Sequence, residues 1–348
     1  MGATKHHKLT SFLAQSNTVS CLSIGPKSSR VLVTGGLDRI VNLWAIGNHS
    51  PVLSLQGHVT SIHSVAMDWP EELVVAGSSG GCLKLWDLQE AKVIRTLAGH
   101  RASIGAVEFH PFGEFFASGS ADQSVKIWDV RRKGCIQTYH GHSDAINSLE
   151  ITPDGRWIAS ASDDGTVKIW DMTAGKLLHT LDDAAGPILS VTFNPSEFVI
   201  ATTSQDGSIR VYDLQSFDCI STYNDTYSKF ILFSPNGQQL LTCCQDALQV
   251  LSWDPISLIT EINVNWSNVK DLKVLPDNDK AIACTTNGNY VDVWAFQLPL
   301  SQVLYFCNFI LGGRVRFGCR KRILVHLIYR LWINLLTQTT NFSLQIPS

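Results

Sequence analysis

Seven aromatic residues, Trp44, Trp86, Trp128, Trp170, Tyr212, Trp253 and Trp294, follow one another at intervals of 42, 42, 42, 42, 41 and 41 residues. A fixed period of this length means that one supersecondary unit is repeated and stacked along most of the chain. Within a unit the sequence alternates with a period of two: Ser124-Val125-Lys126-Ile127-Trp128 places Val125 and Ile127 on one face, as a half-buried strand requires. The preceding Phe115–Ser120 reads as another strand and Ala121-Asp122-Gln123 as the polar turn between them. One period later Trp157-Ile158-Ala159-Ser160, Asp163-Asp164-Gly165 and Thr166-Val167-Lys168-Ile169-Trp170 repeat the scheme. Asp-Gly is a hairpin signal because glycine accepts the positive φ that such turns need. His110-Pro111-Phe112-Gly113, Thr152-Pro153-Asp154-Gly155 and Ser234-Pro235-Asn236-Gly237 mark a further turn in each unit.

A second landmark stands 28 residues before the aromatic one in three units, at the histidines of Gly57-His58, Gly99-His100 and Gly141-His142. Trp86, Trp128, Trp170 and Trp253 are followed by Asp, as is Tyr212, whereas Trp44 and Trp294 are followed by Ala. Gly-His and Trp-Asp recurring together resemble the WD repeat, in which four short strands form one propeller blade. The resemblance predicts an all-β fold: a seven-bladed WD40 β-propeller over residues 5–297, with a short atypical C-terminal tail over residues 298–348. Such a ring has to close. Lys8-Leu9-Thr10-Ser11-Phe12-Leu13 is placed to supply the fourth strand of blade seven, which would leave no unpaired edge at the seam.

His100, Ser118 and Asp122 are residue types that could form a hydrolase triad of base, nucleophile and orienting carboxylate. The set returns one unit later as His142, Ser160 and Asp164, and a tryptophan follows each aspartate by six residues, Trp128 and Trp170. Duplication at the repeat period argues for architecture over catalysis. Both foursomes resemble the structural tetrad of WD repeats, in which indole N–H donates to hydroxyl, hydroxyl to imidazole and imidazole to the turn carboxylate. Left buried and unpaired, such groups would cost about 1–3 kcal/mol each. Other blades depart from the pattern: Ser16 stands at the histidine position of blade one, Gly80 replaces the aspartate of blade two, and Ala184 replaces the histidine of blade five. Blades three and four are therefore expected to be the stiffest. His63, His110 and His179 are expected on turns or satisfied surfaces, and no phosphate loop, H-E-x-x-H or paired-carboxylate motif calls for a cofactor or metal.

The formal net charge of −3 and a pI near 6.4 supply no overall basic field to attract nucleic acid or membranes. Nine cysteines without a C-x-x-C pair fit neither a zinc site nor a secreted disulfide framework and read as reduced, intracellular thiols of the cytosol or nucleus. Lys5, His6, His7 and Lys8 near the start are joined to no apolar run, so no secretory signal is expected. Residues 298–348 contain six basic and no acidic residues, which leaves 21 basic against 30 acidic for the rest. Their apolar stretches are broken by Arg or His before reaching the roughly 18 residues of a membrane span.

Several segments resemble one WD-repeat family in particular, the non-catalytic subunit of the microtubule-severing complex katanin. They are Pro70–Gly77, Phe109–Phe115, Ile127–Cys135 and Lys168–Lys176, with Lys27–Gly36 and Val41–Ile46 similar to plant members. The resemblance runs from about residue 5 to 275. It implies association with a separate catalytic AAA ATPase subunit and with microtubules, in the cytoplasm and on the cytoskeleton, with no nucleotide of this chain's own. The helical C-terminal docking domain usual in that family is not expected within residues 298–348, and that tail is expected to be isoform-specific or a misannotated coding end. Arg131-Arg132-Lys133 is the candidate contact for acidic tubulin tails. An alternative reading, substrate receptor of a cullin-type ubiquitin ligase, rests on Ala117–Arg131 resembling an adaptor-binding box, to which Arg131 adds the distinguishing residue.

Overall fold

The computed structural model describes residues 6–132, 134–182, 184–224, 227–266, 268–275 and 280–298. The expected tail lies outside them from residue 299 on, as does Lys133. Among the described residues, strands form seven antiparallel sheets of four. Blades one to six are meanders of consecutive strands over residues 19–55, 62–98, 104–140, 146–181, 188–223 and 230–263. Blade seven combines Val269–Val274, Lys280–Asn287 and Tyr290–Gln297 with an outer strand, His6–Leu13, from the other end of the chain. The first strand of each blade touches the first strand of the next, and Val269–Val274 meets Val19–Ile24 of blade one. The architecture is the expected seven-bladed β-propeller. At its seam Asp292 accepts a hydrogen bond from Ser11 Oγ at 2.6 Å and an ion pair from Lys8 Nζ at 2.7 Å.

The core lies between blades. Ala66, Val75 and Leu85 of blade two, for example, share one cluster with Ile104, Phe109, Phe116 and Trp128 of blade three. Second strands are covered on both faces, which explains their small residues: in Phe115–Ser120 every residue after the first is buried. The approach is close at three glycines of these second strands, all in one register. A Cβ on Gly35, Gly77 or Gly119 would come within 2.6, 2.7 or 2.5 Å of Ile62, Ile104 or Ile146, the first inner-strand residue of the following blade.

Turn chemistry follows the sequence. In Thr152-Pro153-Asp154-Gly155 the Asp154 carboxylate accepts from Thr152 Oγ1 at 2.6 Å and from Arg156 N at 3.1 Å, while Gly155 takes φ +72°. Ser234-Pro235-Asn236-Gly237 repeats this with Ser234 Oγ donating to Asn236 at 2.6 Å and Gly237 at φ +71°. The aspartates of Trp-Asp act in a related way, since Asp87, Asp129 and Asp171 accept backbone N–H bonds from the turn that leads to the outer strand.

One landmark is displaced. Trp128 pairs with Phe116 and Lys126 with Ser118, but in blade six Leu240 pairs with Leu251 and Thr242 with Gln249. Leu251 thus holds the place of the repeat tryptophan, and Trp253 lies two residues further on, its indole donating to the Gly237 carbonyl at 2.9 Å. The even spacing concealed a change in turn length.

Candidate functional site

Blades three and four each bring four polar side chains into a line. Trp128 Nε1–H donates to Ser118 Oγ at 2.8 Å, Ser118 lies 2.7 Å from His100 Nε2, and His100 Nδ1 lies 2.9 Å from Asp122. The corresponding distances for Trp170, Ser160, His142 and Asp164 are 2.8, 2.7 and 2.8 Å. Since the indole can only donate, the serine O–H donates to imidazole Nε2 and the imidazole Nδ1–H to the carboxylate. Burial depresses the pKa of both imidazoles against the pull of their aspartates, which keeps them neutral. For Asp122 and Asp164, burial acts upward. Hydrogen bonds from Ser124, Arg101 N–H and His100 in one case, and from Thr166, Ser143 N–H and His142 in the other, outweigh it and bring both to about 2. Ser118 and Ser160 have no exposed surface, so a substrate could not reach either hydroxyl without opening the blade.

The remaining blades fill the same position differently, in ways that spacing did not reveal. In blade one the expected Ser16 is not at the imidazole position. Its backbone N–H donates to Asp38 at 2.9 Å, as Arg101 N does to Asp122. Gln15 stands there instead, donating to Thr34 Oγ1 at 3.1 Å beside the 3.0 Å bond from Trp44. In blade five, where Ala184 removes the imidazole, Arg210 bends in to pair with Asp206 at 3.2 Å and to donate to Ser208. Its counterparts Lys84, Lys126 and Lys168 reach outward instead, to Thr96, Thr138 and Thr180. Blade two has no substitute. Ala76 offers His58 no hydroxyl and Gly80 no carboxylate, and Nε2 of this buried histidine has no partner. Burial, then Lys84, lower its pKa to about 4.

Two further groups complete the candidate residues. Arg131 and Arg132 are 77% and 87% exposed, with Arg131 3.3 Å from Glu114 and Arg132 3.8 Å from Asp129. Lys133 lies outside the described residues. The isolated histidines are occupied: His110 Nε2 meets the Gly155 carbonyl at 3.1 Å, His63 Nδ1 meets Ser103 Oγ at 2.9 Å, and His179 stacks on Phe217 at 4.3 Å. His63 and His179 sit within strands, not on turns. Among the described residues no three metal-ligating side chains converge, and no helix is long and apolar enough to cross a membrane.

The inner strands also carry a charged cluster that belongs to no repeat motif. Glu108, Glu150 and Lys273 occupy one register level, opposite Ala117, Ala159 and Ile282. Burial raises Glu108 to about 7, against the pull of Lys273. Burial, followed by repulsion from Glu108, raises Glu150 to about 8. Glu150 accepts from Phe193 N of blade five at 2.7 Å, and Asp271 accepts from Ile24 N of blade one at 2.7 Å, so carboxylates tie neighbouring blades together. Charged residues recurring at one repeat position of a first strand, Glu108 and Glu150, were the available signal.

The profile of the WD domain, G-beta repeat family matches residues 7–45, 49–87, 91–129, 133–171 and 175–213. Among curated proteins the chain is similar to a katanin p80 WD40 repeat-containing subunit B1 homolog of Arabidopsis thaliana, 54% identical over 81 residues, which is 23% of this chain and 10% of that protein. A second Arabidopsis thaliana homolog is 53% identical over 79 residues, 23% of this chain and 7% of the relative. The katanin p80 WD40 repeat-containing subunit B1 of Danio rerio is 42% identical over 74 residues, 21% of this chain and 11% of the relative. The matches thus span about a tenth or less of the lengths of the two Arabidopsis relatives.

Proposed function

This chain belongs to the WD40 repeat family, and from that premise we propose that it is a non-catalytic, katanin-type subunit that places a AAA ATPase on microtubules. The observation that carries the reading is the 54% identity over 81 residues to a katanin p80 subunit homolog. The buried tetrads support the non-catalytic part, since each Ser-His-Asp set is used up internally and is repeated from blade to blade. The proposed role places the protein in the cytoplasm on the cytoskeleton.

Arg131 and Arg132, with Lys133 between them and the outer strand of blade three, are the proposed contact for acidic tubulin tails. Exposed charges attract over a screening length of about 8 Å at physiological salt, so such a contact would act mainly in encounter and would weaken as salt is added. The test is co-sedimentation of the full chain with microtubules, with and without a katanin-type ATPase. The expected result is co-pelleting in at least one condition, reduced when Arg131, Arg132 and Lys133 are all changed to Ala. A chain that stayed in the supernatant in both conditions would overturn the proposal.

A further inference from the structure

Around the ring one position of the first strands, four residues before the strand's end, is held in turn by Ser20, His63, Gly105, Asn147, Leu189, Lys229 and Lys270. Except at Lys229, the pairing register with the second strand shifts there, and a bulge of this kind re-aims the side chain. Ser20 and Asn147 donate to the carbonyls of Ile62 and Ile188 in the following blade, and His63 meets Ser103 there. Lys229 and Lys270 stand in consecutive blades, six and seven, and no blade has a carboxylate at this position. Among the described residues neither lysine is in an ion pair. Asp163 reaches the position at blade four, where it accepts from Asn147 Nδ2 at 2.6 Å, two blades away from Lys229.

Lys270 is half-buried and Lys229 exposed. Burial, and then the charge of Lys229, act against the Lys270 ammonium and lower its pKa. The acidic group beside it is the Cys21 thiol, which burial pushes up to about 12 and so keeps neutral. Three residues further along the same strand the balance is reversed, since Lys273 faces Asp271, Glu108 and Glu150. Two cations close enough to repel, one of them half out of water and neither offset by a carboxylate, are stabilised by an anion set between them. We propose that Lys229 and Lys270 form a binding site for the side-chain carboxylates of an acidic peptide segment presented by a protein partner. Outside residues 298–348 the chain carries 21 basic against 30 acidic residues, so a nucleic acid or an anionic membrane surface meets repulsion from the rest of the ring, and a short segment with a few carboxylates meets far less. Leu189 holds the same position one blade earlier, and Tyr227, two residues before Lys229, is 42% exposed; both offer contact to the chain that carries the carboxylates. Arg131 and Arg132 follow a third strand, which in an antiparallel meander runs with the first and ends on the opposite face of the ring from where the first begins. The lysine site is therefore separate from that turn and does not depend on the microtubule reading.

The probe is a short oligo-glutamate peptide, titrated into the full chain carrying isotope-labelled lysine. The side-chain signals of Lys229 and Lys270 are identified by their loss in Lys229→Gln and Lys270→Gln, so the readout is local to the site and blind to the Arg131 turn. Both signals should shift together and saturate, with weaker binding as salt is added. In Lys229→Gln the affinity reported by Lys270 should fall about tenfold or more, equivalent to ~1.4 kcal/mol. Lys270→Gln should do the same to the response of Lys229; the exposed Lys229 position carries the test if Lys270→Gln does not fold. Oligo-glutamine, and inorganic phosphate at the same concentration of charge, should leave both signals in place. Stationary Lys229 and Lys270 signals throughout the titration, an undiminished Lys270 response in a folded Lys229→Gln chain, or an equal response to phosphate would each overturn the proposal.

Discussion

His100 and His142 carry no charge in the folded ring although each faces an aspartate, because burial outweighs the carboxylate's pull. Both folded pKa values lie below the ordinary 6.5, so their contribution to stability is present above that pH and is lost as the pH falls below it. Asp122 and Asp164, held at about 2, add a second loss as the pH falls from 3.8 towards 2. The expected outcome is that, between pH 7 and 5, the change in urea midpoint of the unchanged chain lies on the destabilising side of that of the His100→Gln, His142→Gln double variant, the difference being the part due to the two imidazoles. Ser118→Ala should cost about 1–3 kcal/mol in urea unfolding, because it strands the indole N–H and the imidazole nitrogen together. These two foursomes were legible in the sequence because all four residue types recur at fixed offsets. The substitutes in blades one and five were not. Gln15 and Arg210 belong to no motif, and their roles follow from where a one-residue offset and a missing imidazole direct a long polar side chain.

Blades one, two and three pack tightly on their neighbours where Gly35, Gly77 and Gly119 face an isoleucine of the next blade. Gly119→Ala would place a methyl group 2.5 Å from Ile146 Cγ2, and overpacking of this kind costs about 1–3 kcal/mol; a lowered thermal midpoint would show it. At the turn before the third strand the constraint is backbone conformation, not space. Gly165 has φ +79° there with nothing closer than 3.5 Å to an added side chain, and Arg39 and Gln123 hold φ +67° and +68° at the same turn in their own blades. Those two blades therefore carry a strain that glycine relieves in blade four. Strands and turns could be read ahead of the structure because alternation and Asp-Gly chemistry are local. The displacement of Trp253 could not, since a period counts residues and a sheet register depends on how many of them the intervening turn consumes.

Around the ring, protonation acts in the opposite sense to the tetrads. Glu108 and Glu150 titrate at about 7 and 8 in place of the ordinary 4.5. The folded protein therefore holds more protons than the unfolded chain between those values, and stability falls as the pH rises through that range. Glu150→Gln keeps an acceptor for Phe193 N and removes the titration. It should raise the thermal midpoint at pH 8 and flatten its decline above pH 6. Deleting residues 1–13 should leave Tyr290–Gln297 as an open edge, and association visible by light scattering is the expected outcome. That seam also orders events in time. Ser11 bonds to Asp292, 281 residues away, so at synthesis rates of about 5–20 residues per second the first strand made waits on the order of tens of seconds for its partner. Throughout that interval the nascent chain carries an unsatisfied edge at its leading end. Of the propeller's hairpins, the last to leave the ribosome is the one that converts a row of blades into a closed disc.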